Sequence, residues 1–203
     1  MEITAYVTRP VTKAEKHPLV VMPHGGPEAR DAIAFDPIVQ AFAAQGWLVL
    51  QPNFRGSYGY GKGFAEAGHR QWSRRMQDDV TDSVNDLVQA GIVAPDKIVI
   101  YGISYGGYAA LAGAVVTPEL YRGAISRAGI SDLGAFLRYQ HYRDDLNSHD
   151  ESLLYNHWVN LIGDPKTDAA ALHAGSPSER AAEIRIPIML MHGTADQIGR
   201  AHV

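Results

Sequence analysis

The 203-residue chain contains no cysteine. That alone excludes disulfides and thiolate metal centres, and it allows a reducing compartment. No apolar run approaches membrane-spanning length. The formal net charge is only −4, so neither nucleic acid nor an anionic membrane is an expected partner. Internal repeats and low-complexity segments are lacking. The opening "MEITAYVTRP" has no basic region followed by an apolar stretch, so it is not a signal peptide. A cytoplasmic location is the resulting expectation. The chain begins directly in strand-like alternation, Ile3, Ala5 and Val7 against Thr4, Tyr6 and Thr8, as a chain cut from something longer would.

What is present is an alternation of apolar strands with helices. Residues 17–24, 47–53, 97–102, 121–129 and 185–193 read as strands, and 186–191 as a buried one. Helical spacing runs over 35–46, with Gly46 at its end, and over about 77–90, where Asp78 and Asp79 suit the first turn. A small-residue helix follows the third of these strands, and 132–182 reads as mostly helical. The pattern predicts an α/β fold with a mainly parallel sheet and helices on both faces. It predicts one domain over residues 1–197.

The sharpest chemical signal is "YGISYGGY", residues 101–108. The spacing Gly102-x-Ser104-x-Gly106 is weak alone. Its place, where the strand "KIVIY" ends and a helix begins, is that of a nucleophile elbow. Ser104 then occupies a strained turn, and glycines on either side let strand and helix pack closely around it. A plain strand-to-helix turn is the other reading. A second strand runs into His24-Gly25-Gly26-Pro27. Glycines there let backbone N–H groups approach a substrate oxygen, with the N–H of Tyr105 as the partner donor. A tight turn is the alternative. His24 precedes the serine in the chain, so it is expected to shape this loop rather than act as base. The third signal is Asp196, just past the strand ending "IMLM". It fits an acid that fixes the tautomer of a catalytic imidazole, or a turn-forming Asp in "GTAD". Arg55 reads either as a substrate contact or as the ion-pair partner of an acid such as Asp79. Tyr58 and Tyr60 are expected to pack the glycine-rich loop 55–63. Tyr139, Tyr142, Tyr155 and Trp158 line a pocket or form core, and Asp144, Asp145, Asp150 and Glu151 read as a solvated face. No spacing supports a metal site.

Taken together and in order, "HGGP", "NFRGSYGYG", "MQDD", "YGISYGGY", "GDP" and "MHGTAD" resemble the catalytic domain of the prolyl oligopeptidase family, in its acylaminoacyl-peptidase and dipeptidyl-peptidase-like branch. The likeness runs from about residue 3 to Asp196. It implies an α/β-hydrolase fold and a serine peptidase that works through an acyl-enzyme on peptide substrates without a cofactor. It maps the nucleophile to Ser104, the acid to Asp196, and the oxyanion donors to the backbone of Gly25 or Gly26 and of Tyr105. Some members place a tyrosine hydroxyl where His24 stands; this chain resembles those that use backbone donors instead. The family also implies a β-propeller ahead of this domain, and a catalytic histidine after the acid, beyond one more strand. None of the nine histidines suits that position. The chain as it stands is therefore expected to lack the final strand and helix, to be inactive, and to expose an unpaired apolar sheet edge. Its tail, "IGRAHV", resembles the translation of a common DNA-sequencing adapter, so residues 198–203 are expected to be non-native. A carboxylic-ester hydrolase of the same fold and a non-catalytic hydrolase-like domain are the competing readings.

Overall fold

Strands that are apolar on both faces must be covered on both sides, and the sheet they build fixes the loops. The computed structural model describes residues 1–147 and 152–196. The strands are β1 (Thr4–Thr8), β2 (His17–Val21), β3 (Leu48–Asn53), β4 (Val93–Ile103), β5 (Gly123–Arg127) and β6 (Ile188–Met191). Among the described residues they form one sheet in the order β1-β3-β2-β4-β5-β6. Only β1 is antiparallel, with Tyr6 opposite Gln51 of β3. The others run parallel: Val20 lies opposite both Val49 and Val99, and Ile125 opposite both Tyr101 and Met189. Leu19, Val20, Val21, Leu48, Val49, Ile98 and Ile100 are fully buried. Each such side chain contributes about 1.5–3 kcal/mol on leaving water.

Helices fill the crossovers. α1 (Pro37–Ala44) joins β2 to β3. Asp36 caps it by accepting from the N–H of Ile38 and Val39 at 2.7 and 3.1 Å, and Pro37 occupies the first turn. Gly46 ends it at φ +88°, a left-handed conformation that glycine adopts without strain. The short α2 (Lys62–Glu66) and α3 (Arg75–Gln89) lie between β3 and β4, and α4 (Tyr105–Val116) joins β4 to β5. Right-handed crossovers put α1 on one face of the sheet, and α3 and α4, which touch, on the other. α5 (Leu133–Asn147), α6 (Ser152–Ile162), α7 (Ala169–Ala174) and a 3₁₀ helix (Pro177–Glu183) form the excursion before β6. No described helix is long and apolar enough to cross a membrane.

The parallel α/β architecture matches the expectation, with three local differences. The glycine-rich loop gives way to α2 at Lys62, and β4 starts four residues early, at Val93. The third corrects the reading of β6 as a buried strand: Met189, Leu190 and Met191 are 54%, 47% and 40% exposed. Among the described residues β6 has β5 on one side only. In the aromatic group, Trp158 packs edge-on against buried Phe136, whereas Tyr142 is exposed. The side chains of Asp144, Asp145, Asp150 and Glu151, and the tail 198–203, fall outside the described residues.

One half-buried carboxyl gives the fold a pH dependence. Asp31 follows the glycine loop. Its N–H donates to Asn53 Oδ1 at 2.7 Å, and its Oδ1 accepts from Gln51 Nε2 at 3.0 Å. Burial pushes the carboxyl up to about 6; Gln51 opposes the shift and nearby Asp36 adds to it. The folded chain thus holds this proton more tightly than the unfolded one. The group costs nothing below about pH 4, and its cost grows as pH rises through about 6. Asp31→Asn is expected to stabilise the whole protein at pH 7.5 by about 1 kcal/mol after allowance for solvent screening, and to leave it unchanged at pH 4. Urea denaturation at the two pH values checks this; equal effects at both would refute it.

Candidate active site

Ser104 stands where β4 ends and α4 begins, at φ 59° and ψ −121°. A non-glycine residue in this region carries about 1–3 kcal/mol of strain. Two backbone bonds hold it there: its N–H donates to the Arg127 carbonyl of β5, and its carbonyl accepts from the Tyr108 N–H in the first turn of α4, both at 3.0 Å. The strained turn projects the side chain outward, and Ser104 is exposed between buried Gly102 and buried Tyr105. The flanking glycines are needed for space. A Cβ on Gly102 would overlap the Gly106 carbonyl, and a Cβ on Gly106 would overlap the Pro23 carbonyl.

That second contact brings in the glycine loop. After β2 the chain runs through Pro23 and His24 to Gly25, where a Cβ would lie 3.2 Å from the Ile103 carbonyl and 3.5 Å from Ser104 Cβ. Gly26 follows at φ +119°. The loop that the sequence marked out as a backbone donor therefore lies against the serine, as does the N-terminus of α4, which begins at Tyr105.

His24 does not face the serine. Its Nδ1–H donates to the Gly25 carbonyl at 2.7 Å, and its Nε2 lies 2.8 Å from Ser57 Oγ. The ring stacks on Phe54 with centroids 4.4 Å apart. Burial lowers its pKa, against the pull of the Gly25 bond, and so favours the neutral ring. These contacts fit the expectation that His24 shapes the loop.

Asp196 follows β6. Its N–H donates to the Gly193 carbonyl at 3.1 Å in a tight turn. Because β4, β5 and β6 are parallel, Ser104 and Asp196 leave the same end of the sheet, with β5 between their strands. At about 4.8 Å per strand the two strand ends are roughly 10 Å apart. His192 Nδ1 lies 3.7 Å from Asp196 Oδ2, beyond hydrogen-bonding distance. Among the described residues no histidine hydrogen-bonds Ser104; His69 and His157 pair with Glu28, and His173 with Glu179. His149 and His202 lie outside the described residues. No described group of three or more His, Asp or Glu residues is placed to hold a metal ion.

The prolyl oligopeptidase family model matches residues 33–199. The chain belongs to the prolyl oligopeptidase family. It is 36% identical over 188 residues to dipeptidyl aminopeptidase BIII of Pseudoxanthomonas mexicana, covering 88% of this chain and 25% of that protein. It is 24% identical over 199 residues to the acylamino-acid-releasing enzyme of Sus scrofa, covering 97% and 27%. Among solved structures, a puromycin-hydrolyzing peptidase of Mycobacterium tuberculosis superposes with a TM-score of 0.82 at 31% identity, covering 94% of this chain and 28% of that one. The acylaminoacyl peptidase of Pyrococcus horikoshii gives 0.81 at 25% identity, covering 95% and 30%. The chain thus spans about a quarter of the length of these two curated relatives.

In this member of the family several supporting residues carry no local sequence signal. Phe54 and Ser57 meet His24 only through the fold. Glu28, just past the glycine loop, pairs with His157 of α6, whose Nε2 lies 2.9 Å from Oε2, and so ties the excursion to that loop. Arg55, for which a substrate contact was the competing reading, pairs with Asp79. Its Nη2 and Nε donate to Oδ1 and Oδ2 at 2.6 and 2.7 Å, and its backbone N–H adds a third bond at 2.9 Å. The side chains are 14% and 4% exposed. Removing one partner leaves a buried charge uncompensated. Asp79→Ala is expected to cost about 3–5 kcal/mol, and the double change Arg55→Leu/Asp79→Leu to recover much of that loss. Urea denaturation of the whole protein measures both; a loss below about 1 kcal/mol for Asp79→Ala would show that the pair is not an anchor.

Proposed function

We propose that the whole protein is a serine peptidase that hydrolyses peptide bonds through an acyl-enzyme. The observation that carries this reading is the exposed Ser104, held left-handed at a helix N-terminus with a glycine loop packed against it. In the proposed reaction Ser104 Oγ attacks the scissile carbonyl carbon and its proton passes to a histidine. The C–N bond breaks as the histidine returns that proton to the leaving amine. Water, deprotonated by the same histidine, then releases the acyl group. Asp196 orients the imidazole and stabilises its charged form. The base is a histidine of the whole protein other than those described above. The N–H of Tyr105 and of Gly25 or Gly26 donate to the oxyanion, each contributing about 3–4 kcal/mol to lowering the barrier. Proton transfer and backbone donors suffice for this chemistry, so no cofactor is invoked.

The named activities of the relatives, on dipeptidyl, acylaminoacyl and puromycin substrates, support an amide or peptide substrate over an ester. Their greater length is consistent with a β-propeller domain in the whole protein, which would screen large substrates.

In the full-length protein Ser104→Ala is expected to abolish labelling by a fluorophosphonate probe and to lower kcat on an aminoacyl-anilide by about 10⁶. Asp196→Asn is expected to lower kcat by about 10⁴ while Ser104 remains in place. Persistent labelling of Ser104→Ala would overturn the nucleophile. Turnover of esters with none of anilides would make the protein an ester hydrolase instead.

A further inference from the structure

The two proposed oxyanion donors come from different parts of the chain, the loop after β2 and the start of α4. Something must hold their separation, because a donor displaced by about 1 Å can cost 10²-fold in rate. The structure supplies a continuous run of rings between them. Phe54, fully buried just past β3, stacks on the His24 imidazole at 4.4 Å and 17°. It also meets the Tyr105 ring at 5.3 Å, tilted by 37°. Tyr105 is backed in turn by Trp72, edge-on at 4.6 Å, and by Tyr108 at 5.6 Å. The far flank is firm: Tyr108 Oη donates to the Gly175 carbonyl at 2.8 Å, and Tyr105 Oη lies 3.7 Å from Met76 Sδ.

Phe54 also reaches His24 by a second route. Its carbonyl accepts from the Ser57 N–H at 3.1 Å, and the Ser57 hydroxyl, with one proton to give, lies 2.6 Å from that carbonyl and 2.8 Å from His24 Nε2. The imidazole is therefore fixed in its plane by Phe54 and at its edge by the Phe54–Ser57 turn. From there His24 sets the Gly25 carbonyl through Nδ1, and hence the peptide planes that present the loop N–H groups.

We infer that Phe54 is a positioning residue for oxyanion stabilisation, a spacer between His24 and Tyr105 that fixes the two donor segments relative to one another. It touches no reacting atom. This inference rests on the roles proposed above for Gly25, Gly26 and Tyr105. A smaller, non-aromatic side chain leaves a gap between the two rings, into which either can relax. The donors then lose their common aim while the substrate-binding surface is unchanged.

The test uses the full-length protein with Phe54→Leu, the milder Phe54→Met, and Val84→Ala as control. Val84 is fully buried on α3 and lies outside this run of rings. Fluorophosphonate titration counts competent sites, so turnover is expressed per site and is independent of the folded fraction. Phe54→Leu is expected to lower kcat per site by about tenfold to a hundredfold with KM changed less than about twofold. The affinity of a peptide boronate, which engages the donors as a tetrahedral adduct, is expected to fall by the same factor. Phe54→Met should fall between Phe54→Leu and the parent, and Val84→Ala should lose stability but keep kcat per site. Unchanged kcat per site in both Phe54 variants overturns the inference, as does a rise in KM with kcat unchanged. Turnover by Ser104→Ala, measured alongside, would instead overturn the peptidase reading.

Discussion

The site depends on a close approach of backbones. At Gly102 and Gly106 the end of β4, the first turn of α4 and the Pro23 carbonyl approach until no Cβ fits between them. Three consequences follow from this packing. Ser104 is forced left-handed and outward, the helix N-terminus is drawn under the serine, and the glycine loop gains a surface to lie against. A single methyl at either glycine would push these segments apart, so the elbow and the loop are one structural unit. The strain stored at Ser104 persists because backbone hydrogen bonds to Arg127 and Tyr108 and the surrounding packing over-determine it.

Around that unit the chain uses two kinds of support. Away from the serine a charged pair does the anchoring: Arg55 holds Asp79 through three hydrogen bonds, fastening the glycine-rich turn after β3 to α3. Beside the serine the support is neutral. Burial favours the neutral form of His24, and neither its bond to the Gly25 carbonyl nor its stack on Phe54 needs a charge on the ring. A charged imidazole there would alter the field at the loop and the orientation of the peptide it holds. The division is physically sensible, since a group that titrated close to the proposed oxyanion would add its own pH dependence to the chemistry.

Much of the fold was legible in the sequence because parallel strands covered on both faces leave unbroken apolar runs such as "PLVV" and "WLVL". Ser104 was legible for a related reason: a Gly-x-Ser-x-Gly is informative when a strand runs into it and a helix leaves it. β6 was misjudged as buried by the same rule. "IMLM" carries the local pattern of a central strand, but burial depends on which strands lie on either side, and that is a property of the sheet order. Phe54, Ser57 and Glu28 were not legible at all. Each acts on a residue more than 25 positions away, as with Ser57 on His24 and His157 on Glu28, and no periodicity records such a meeting. Arg55 with Asp79 lies between these cases: the types suggested a pair, and only the fold decided against a substrate contact.

The relation between Ser104 and Asp196 has its own cause. Neither side chain sets the distance between them. The Ser104 N–H donates to Arg127 at the end of β5, and the Ala128 N–H, one residue on, donates to Met191 at the end of β6. Peptide hydrogen bonds thus fix the lateral spacing of the strand ends, with β5 as the spacer. Its chain turns away beyond Arg127, where Ala128 adopts φ 48°, into the excursion that begins with α5. The two strand ends are then separated by about two strand spacings. A hydroxyl and a carboxylate extending toward each other across such a gap leave room for one imidazole hydrogen-bonded at both nitrogens. The chemistry proposed for this protein therefore depends on a spacing that the peptide group dictates, and changes in side chains elsewhere in the sheet leave that spacing intact as long as the three strands remain paired.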